Sequence, residues 1–214
     1  MSLDVIPACI DQVATQFADR PSEGEIQRAR TEYDTRRGRI YDDDELFESH
    51  MASFLEWFVL ERAMDHGAPP AVLALRDDAT EQPEAELLRA LAASHRSLFE
   101  MLQQRPRSVQ LMDLIGGGRW RVDQDQPMEG LERGDILEAR LVPWQGGVVF
   151  GPVFCFHPRA ARGCIMKLIE EDLQQGGPGP DLVFDLAEMR LRYSRFRNIA
   201  VDHIYTRDSR TRHR

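Results

Sequence analysis

Apolar side chains recur with helical spacing between Asp42 and Met64. Phe47, Met51, Phe54 and Phe58 fall four, three and four residues apart, and Leu46, Leu55, Trp57, Val59 and Leu60 widen the stripe until little of the last two turns is polar. The pattern predicts a central core helix, buried on most sides. Asp42, Asp43, Asp44 and Glu45 stand at its start, where carboxylates cap free N–H groups and favour the positive end of the helix dipole. Glu48, Glu56, Glu61 and Arg62 interrupt the run, which is too short to span a bilayer.

Two helices are expected before it. Ile6, Cys9 or Ile10, Val13 and Phe17 fit a first helix, with Pro21 as a break, and Ser22 with Glu25 reads as a capping box opening a second through Arg36. That second helix has only a thin seam of Ile26, Ala29 and Tyr33. It is expected on the surface, with Arg28, Arg30, Arg36, Arg37 and Arg39 near solvent or paired with the acidic run that follows. His66-Gly67 and Pro69-Pro70 end the central helix, and a short helical piece is expected at Ala71 to Leu75. Leu88, Leu91, His95, Leu98 and Leu102 then share a stripe, predicting a helix from Glu84 to Gln104 that pairs antiparallel with the central one.

The period next drops to two. Val109, Leu111, Asp113 and Ile115 alternate, Gly116 to Gly118 turns, and Trp120 and Val122 return; Leu137, Ala139 and Leu141, then Val148 to Phe156 across Gln145-Gly146-Gly147, repeat the pattern. A four-stranded antiparallel meander or small open barrel is expected at about 107–157. Arg159 to Gln175 returns to helix, a Gly/Pro break follows, and a last helix from Asp181 to about Asn198 packs through Leu182, Leu186, Met189, Tyr193 and Phe196. Ile199 to Tyr205 reads as a helix extension or a short strand. The fold class is therefore α+β, divided as N-terminal helices (1–40), helical core plus meander (41–175), C-terminal helix (176–206) and a disordered basic tail (207–214).

Composition is that of a folded chain: 214 residues, 42% hydrophobic and 29% charged, with net charge −9. No secretory or membrane-spanning pattern is present, and Cys9, Cys155 and Cys164 suit reduced thiols, so a cytoplasmic location is expected. Charge is uneven. Residues 190–214 hold eight Arg and two Asp, so the body is acidic and the end basic.

The order of features resembles an uncharacterised bacterial domain often found in proteins that also carry a SEC-C metal-binding motif. The matching residues are Glu56-Trp57-Phe58-Val59-Leu60-Glu61, Leu111-Met112-Asp113-Leu114 with Trp120-Arg121-Val122, and Gly134-Asp135-Ile136-Leu137-Glu138-Ala139-Arg140-Leu141, within residues 45–170. The resemblance implies a helix-then-strands layout and no catalytic residue. The SEC-C motif itself is absent.

Candidate chemistry is sparse. Gly116-Gly117-Gly118 is followed by a strand rather than the helix a phosphate loop needs, so it reads as a hairpin turn. Cys155, His157 and Cys164 lack metal-ligand spacing, and no metal or other cofactor is expected. Asp113 and Asp135 flank turns, where Asp caps N–H groups. His50 and His95, on or beside the stripes of two helices expected to pair, with Glu48 or Glu61 near, offer the one catalytic arrangement, an imidazole–carboxylate site. At ~100° per residue, Arg190 and Arg197 fall to one side of the last helix's seam and Arg192 and Arg195 to the other, straddling it with their guanidinium groups in water or paired with the acidic body rather than forming one basic face. The tail residues Arg207, Arg210, Arg212 and Arg214 remain for phosphate. The leading expectation is a non-enzymatic interaction or adaptor domain whose partner is another protein or a second copy. Nucleic-acid association through the tail and an enzyme site at His50, His95 and Glu61 are the alternatives, and no membrane partner is expected.

Overall fold

The computed structural model describes residues 5–20, 22–65, 67–76, 82–177, 179 and 181–207. The expectations placed on Pro21, His66 and the tail beyond Arg207 lie outside these residues. The architecture is α+β, and its centre is a closed five-stranded barrel. Strands β1 (His95–Arg105), β2 (Ser108–Asp113), β3 (Arg119–Asp123), β4 (Ile136–Trp144) and β5 (Gly147–Phe156) are ordered β1-β2-β3-β5-β4. All pairings are antiparallel except a single parallel bridge, Asp123 to Val149, that closes the ring. The expected four-stranded meander is thus one strand short.

The missing strand lies inside the segment expected as a helix from Glu84 to Gln104. Helix α5 (Gln82–Ala92) ends early, and β1 takes His95 to Arg105. On β1 both faces are buried, Phe99 and Met101 inside the barrel and Leu98 outside against the C-terminal helices. A strand buried on both faces loses its period-two polarity, and its leucines then mimic a helical stripe. The expected helical pair is accordingly absent. Helix α3 (Phe47–Leu60) packs instead against α1 (Val5–Phe17), α2 (Glu25–Arg37), α4 (Pro70–Ala74) and the outside of β5.

Three cores result. The barrel interior is filled by Phe99, Val109, Leu111, Leu137, Leu141 and their neighbours. Helices α1 to α5 build a second core around Tyr33, Phe54, Trp57 and Phe58, joined by Val142 from the outer face of β4 and Phe184 from α7 (Asp181–Arg195). Helices α6 (Arg162–Gln174), α7 and the short α8 (Val201–Ile204) cover Leu98 and Ile136 to make the third. The short strand considered for Ile199 to Tyr205 is therefore helix α8.

Charged residues account for the remaining differences. Helix α3 begins at Phe47 with no side-chain cap. Asp44 instead accepts from the Tyr41 N–H at 2.7 Å and pairs with Arg195, while Arg197 pairs with Glu45. The acidic run thus ties down α7, as the geometry of the last helix suggested. Gly24, in the left-handed region at φ 75°, is the N-cap of α2, and its N–H goes to Asp19 at 2.9 Å; Ser22 and Glu25 both receive Arg28 rather than forming a capping box. The arginines of α2 do not reach the acidic run, for Arg36 pairs with Asp181 and Arg37 is buried against Glu138.

Candidate functional site

On β4 the side chains alternate across the barrel wall, so Leu137, Ala139 and Leu141 point inward and Glu138 and Arg140 point out toward α2 and α3. On β1 Arg96 does the same. Register sets Arg96 directly opposite Arg140, a like-charge pair that repels unless something bridges it. Glu61, which follows the last turn of α3, is that bridge. It accepts from Arg96 Nε at 2.7 Å and Nη2 at 2.8 Å, and also from Arg140. Glu138 in turn accepts both terminal nitrogens of Arg37 at 2.8 Å and Nη1 of Arg96 at 2.9 Å. Arg140 Nε lies 3.0 Å from Glu56. Three guanidiniums and three carboxylates are thus interleaved between the helices and the barrel.

Burial works to raise the Glu138 carboxyl, but the Arg37 and Arg96 charges outweigh it and hold the group at about 2. Burial likewise works against Glu61, and Arg96 and Arg140 again leave it lowered. Glu56 is the exception. There burial prevails over the pull of Arg140, and the carboxyl is raised.

Beside this network, at the mouth of the barrel, stands His95. Its Nε2 donates to Asp113 Oδ2 at 2.7 Å, and its ring stacks on Trp120 at 5.6 Å between centroids and 21° between planes. Asp113 is buried and accepts further bonds on Oδ1, from Ser97 Oγ at 2.5 Å, Ile115 N at 3.0 Å and Gly116 N at 2.9 Å. Burial raises this carboxyl, and the four donors more than offset that, leaving it lowered. The turn-capping role expected of Asp113 is present, and the same residue also anchors an imidazole. Asp135 caps too, accepting from Glu132 N at 2.7 Å and pairing with Arg159.

The His95 side chain is 41% exposed and lines a cavity of about 280 Å³ shared with Glu61, Ser94, Arg96, Gly116 and Arg140. Of the candidate residues, the structure therefore brings His95 and Glu61 to one cavity. It places His50 elsewhere, in the α2–α3 core, edge-on to the Tyr33 ring at 5.2 Å and 3.8 Å from Asp34. Burial foremost, then the Arg37 charge, lowers His50 to about 3, so it is neutral there. The tail residue Arg207 is paired with Asp172, and Arg210, Arg212 and Arg214 lie outside the described residues. Among the described residues, no group of three His, Cys, Asp or Glu is placed to hold a metal ion, and no helix is long and apolar enough to cross a membrane.

Gly116 permits the Asp113 arrangement. A Cβ at this position would sit 2.8 Å from Asp113 Oδ2 and 3.4 Å from its Cγ. Gly116→Ala is expected to cost about 1–3 kcal/mol and to turn the carboxylate off His95. Urea unfolding measures the first effect, and a change in the ring ¹⁵N signals of His95, which report the environment of Nε2, the second. An unchanged signal would show that the turn yields instead.

A family model described as a family of unknown function (DUF7986) matches residues 23–177, which enclose the segment carrying the resemblance noted above. No curated protein and no solved structure matches the chain.

Proposed function

We propose, on the premise that this chain belongs to DUF7986, a family of unknown function, that the cavity at the barrel mouth binds a small polar ligand and that His95 receives a proton or hydrogen bond from it. The observation carrying this reading is the His95–Asp113 pair. With Nε2 committed to a carboxylate itself fixed by three other donors, Nδ1 is the ring atom left for a ligand. An imidazole oriented in this way is suited to general-base chemistry on an O–H or N–H. Glu61, 28% exposed in its side chain, adds an acceptor on the same wall, while the ion network keeps that wall rigid. The cavity lies just under the roughly 300–1,000 Å³ of drug-sized sites, so the ligand is small.

A screen of fragments of up to about a dozen heavy atoms, followed by NMR of the full chain, tests this. Fragments that bind are expected to shift the Ser94 and Gly116 amides together with the His95 ring, and to lose affinity in His95→Gln. Fragments that leave these signals still, or that bind the variant equally well, would sink the reading.

The non-enzymatic interaction reading is supported by a different observation. Phe156, Phe196 and Ile199 are exposed near the C-terminal helices, at 44%, 47% and 38%, where a partner protein or a second copy would cover them. Cytoplasmic residence belongs to the proposal as well, supported by three cysteines that form no disulfide. The bacterial setting and the SEC-C association rest on the resemblance alone.

A further inference from the structure

His157 takes no part in the site above. It follows β5, its N–H donates to Ile136 O at 3.0 Å, and the residue is only 6% exposed. Nδ1 lies 3.0 Å from the Tyr205 hydroxyl, and the two rings meet edge to face at 5.8 Å. Nε2 has no hydrogen-bond partner. Buried polar atoms left in this state are few in folded proteins, and each calls for an explanation.

His157 is one of the residues lining a cavity of about 370 Å³ between the end of β5 and α7. Phe156, Pro158, Tyr193, Ser194, Arg190 and Arg197 form the other walls, and no carboxylate is among them. Arg190 uses Nε on Phe156 O at 2.9 Å, Ser194 Oγ donates to Leu191 O at 2.7 Å, and Arg197 reaches Glu45 at the rim. Phe156 is half exposed and stacks on Phe154 at 5.7 Å. His157 also lines a neighbouring cavity of about 260 Å³, but there Arg159 is taken up by Asp135 and the carboxylates of Asp135 and Glu129 disfavour an anion. Burial, followed in the same direction by the Arg190 charge and opposed by that of Glu138, lowers His157 to about 3, so its ring is neutral.

We propose that the cavity between β5 and α7 binds a small oxyanion carried on an apolar group, the anion lying between Arg190 and Arg197 within reach of His157 Nε2 and the apolar part resting on Phe156. With Tyr205 donating its O–H to Nδ1, the ring proton sits on Nε2 as the donor this anion needs. Guanidinium groups match carboxylate and phosphate alike. The aromatic wall favours a carboxylate on a hydrophobic body.

Benzoate and inorganic phosphate, titrated separately into the full chain at pH 7 and low salt, distinguish the sources when the His157 ring signals are followed by NMR. Benzoate is expected to shift them saturably, with affinity falling about tenfold or more in Arg190→Gln. Phe156→Ala should weaken benzoate and leave phosphate unaffected. His157→Gln, which keeps a donor, should retain part of the affinity, with an amide spectrum unchanged away from α7 as the check on folding. Tighter binding of phosphate than of benzoate would overturn the apolar half of the proposal. No saturable shift with either anion, or equal shifts in Arg190→Gln, would overturn it entirely.

Discussion

Replacing Glu138 with alanine is expected to lower the free energy of unfolding by about 3–5 kcal/mol, a large part of the roughly 5–15 kcal/mol that holds a domain together. The carboxylate is buried and accepts three hydrogen bonds from Arg37 and Arg96, whose side chains are only 5% and 7% exposed. Without it, two guanidiniums remain between α2 and the barrel wall with half their compensation gone. Desolvated charge left unpaired, rather than the loss of a favourable pair, is the source of the cost. A control separates the two. Changing Arg37 and Glu138 together to Met and Leu removes charge from both sides and should cost far less than Glu138→Ala alone. Urea unfolding read by tryptophan fluorescence measures both variants. A loss below about 1 kcal/mol in the single variant would mean that the guanidiniums reach water and that the network is an exposed one.

Acid is the second large perturbation. His50 and His157 are held at about 3 in the fold, chiefly by burial, against 6.5 for the free side chain. Between those values the unfolded chain binds protons that the folded chain refuses. Stability therefore falls as pH falls, by up to about 1.4 kcal/mol per pH unit for each ring. Glu138 adds to the same trend lower down. Its stabilisation is complete above about 4.5 and is lost as pH drops toward about 2. Glu56 opposes it, because its raised carboxyl contributes stability in acid that fades as pH rises. The urea midpoint should thus drop steadily from pH 7 to pH 4, and His50→Gln or His157→Gln should each flatten the slope. A midpoint level from pH 7 to pH 5 would show that these rings take up protons in place.

Where the hydrophobic pattern was one-sided, the sequence located the elements well. The first helix lies at Val5–Phe17 as its stripe predicts, and β4 and β5 lie on the alternating segments. The pattern failed on β1, where Arg96, Leu98 and Glu100 mix polar and apolar residues on the outer face while His95 and Ser97 precede Phe99 and Met101 on the inner one, so that neither face reads as a clean apolar stripe. It failed again at Arg37. A mostly charged helix reads as a solvated one, and only the fold brings Glu138, 101 residues away, against it. His95 and Glu61 were legible as residue types, and the cavity they share was not, because β1 was read as part of a helix. Asp113 was visible as a turn cap. Its bond to His95 spans the β1–β2 hairpin, whose first strand that reading had hidden.

The way the barrel closes governs the order in which the chain can acquire its shape. Residues 95–123 form a three-stranded piece and residues 136–156 a hairpin; the β1–β4 ladder and the single Asp123–Val149 bridge join the two. During synthesis the first piece emerges with Phe99, Val109 and Leu111 on a face that has nothing to cover it until Leu137 and Leu141 have been made. The nascent chain therefore passes through an interval in which half a barrel stands open to water, and that interval is when the protein is most exposed to aggregation or to capture by chaperones.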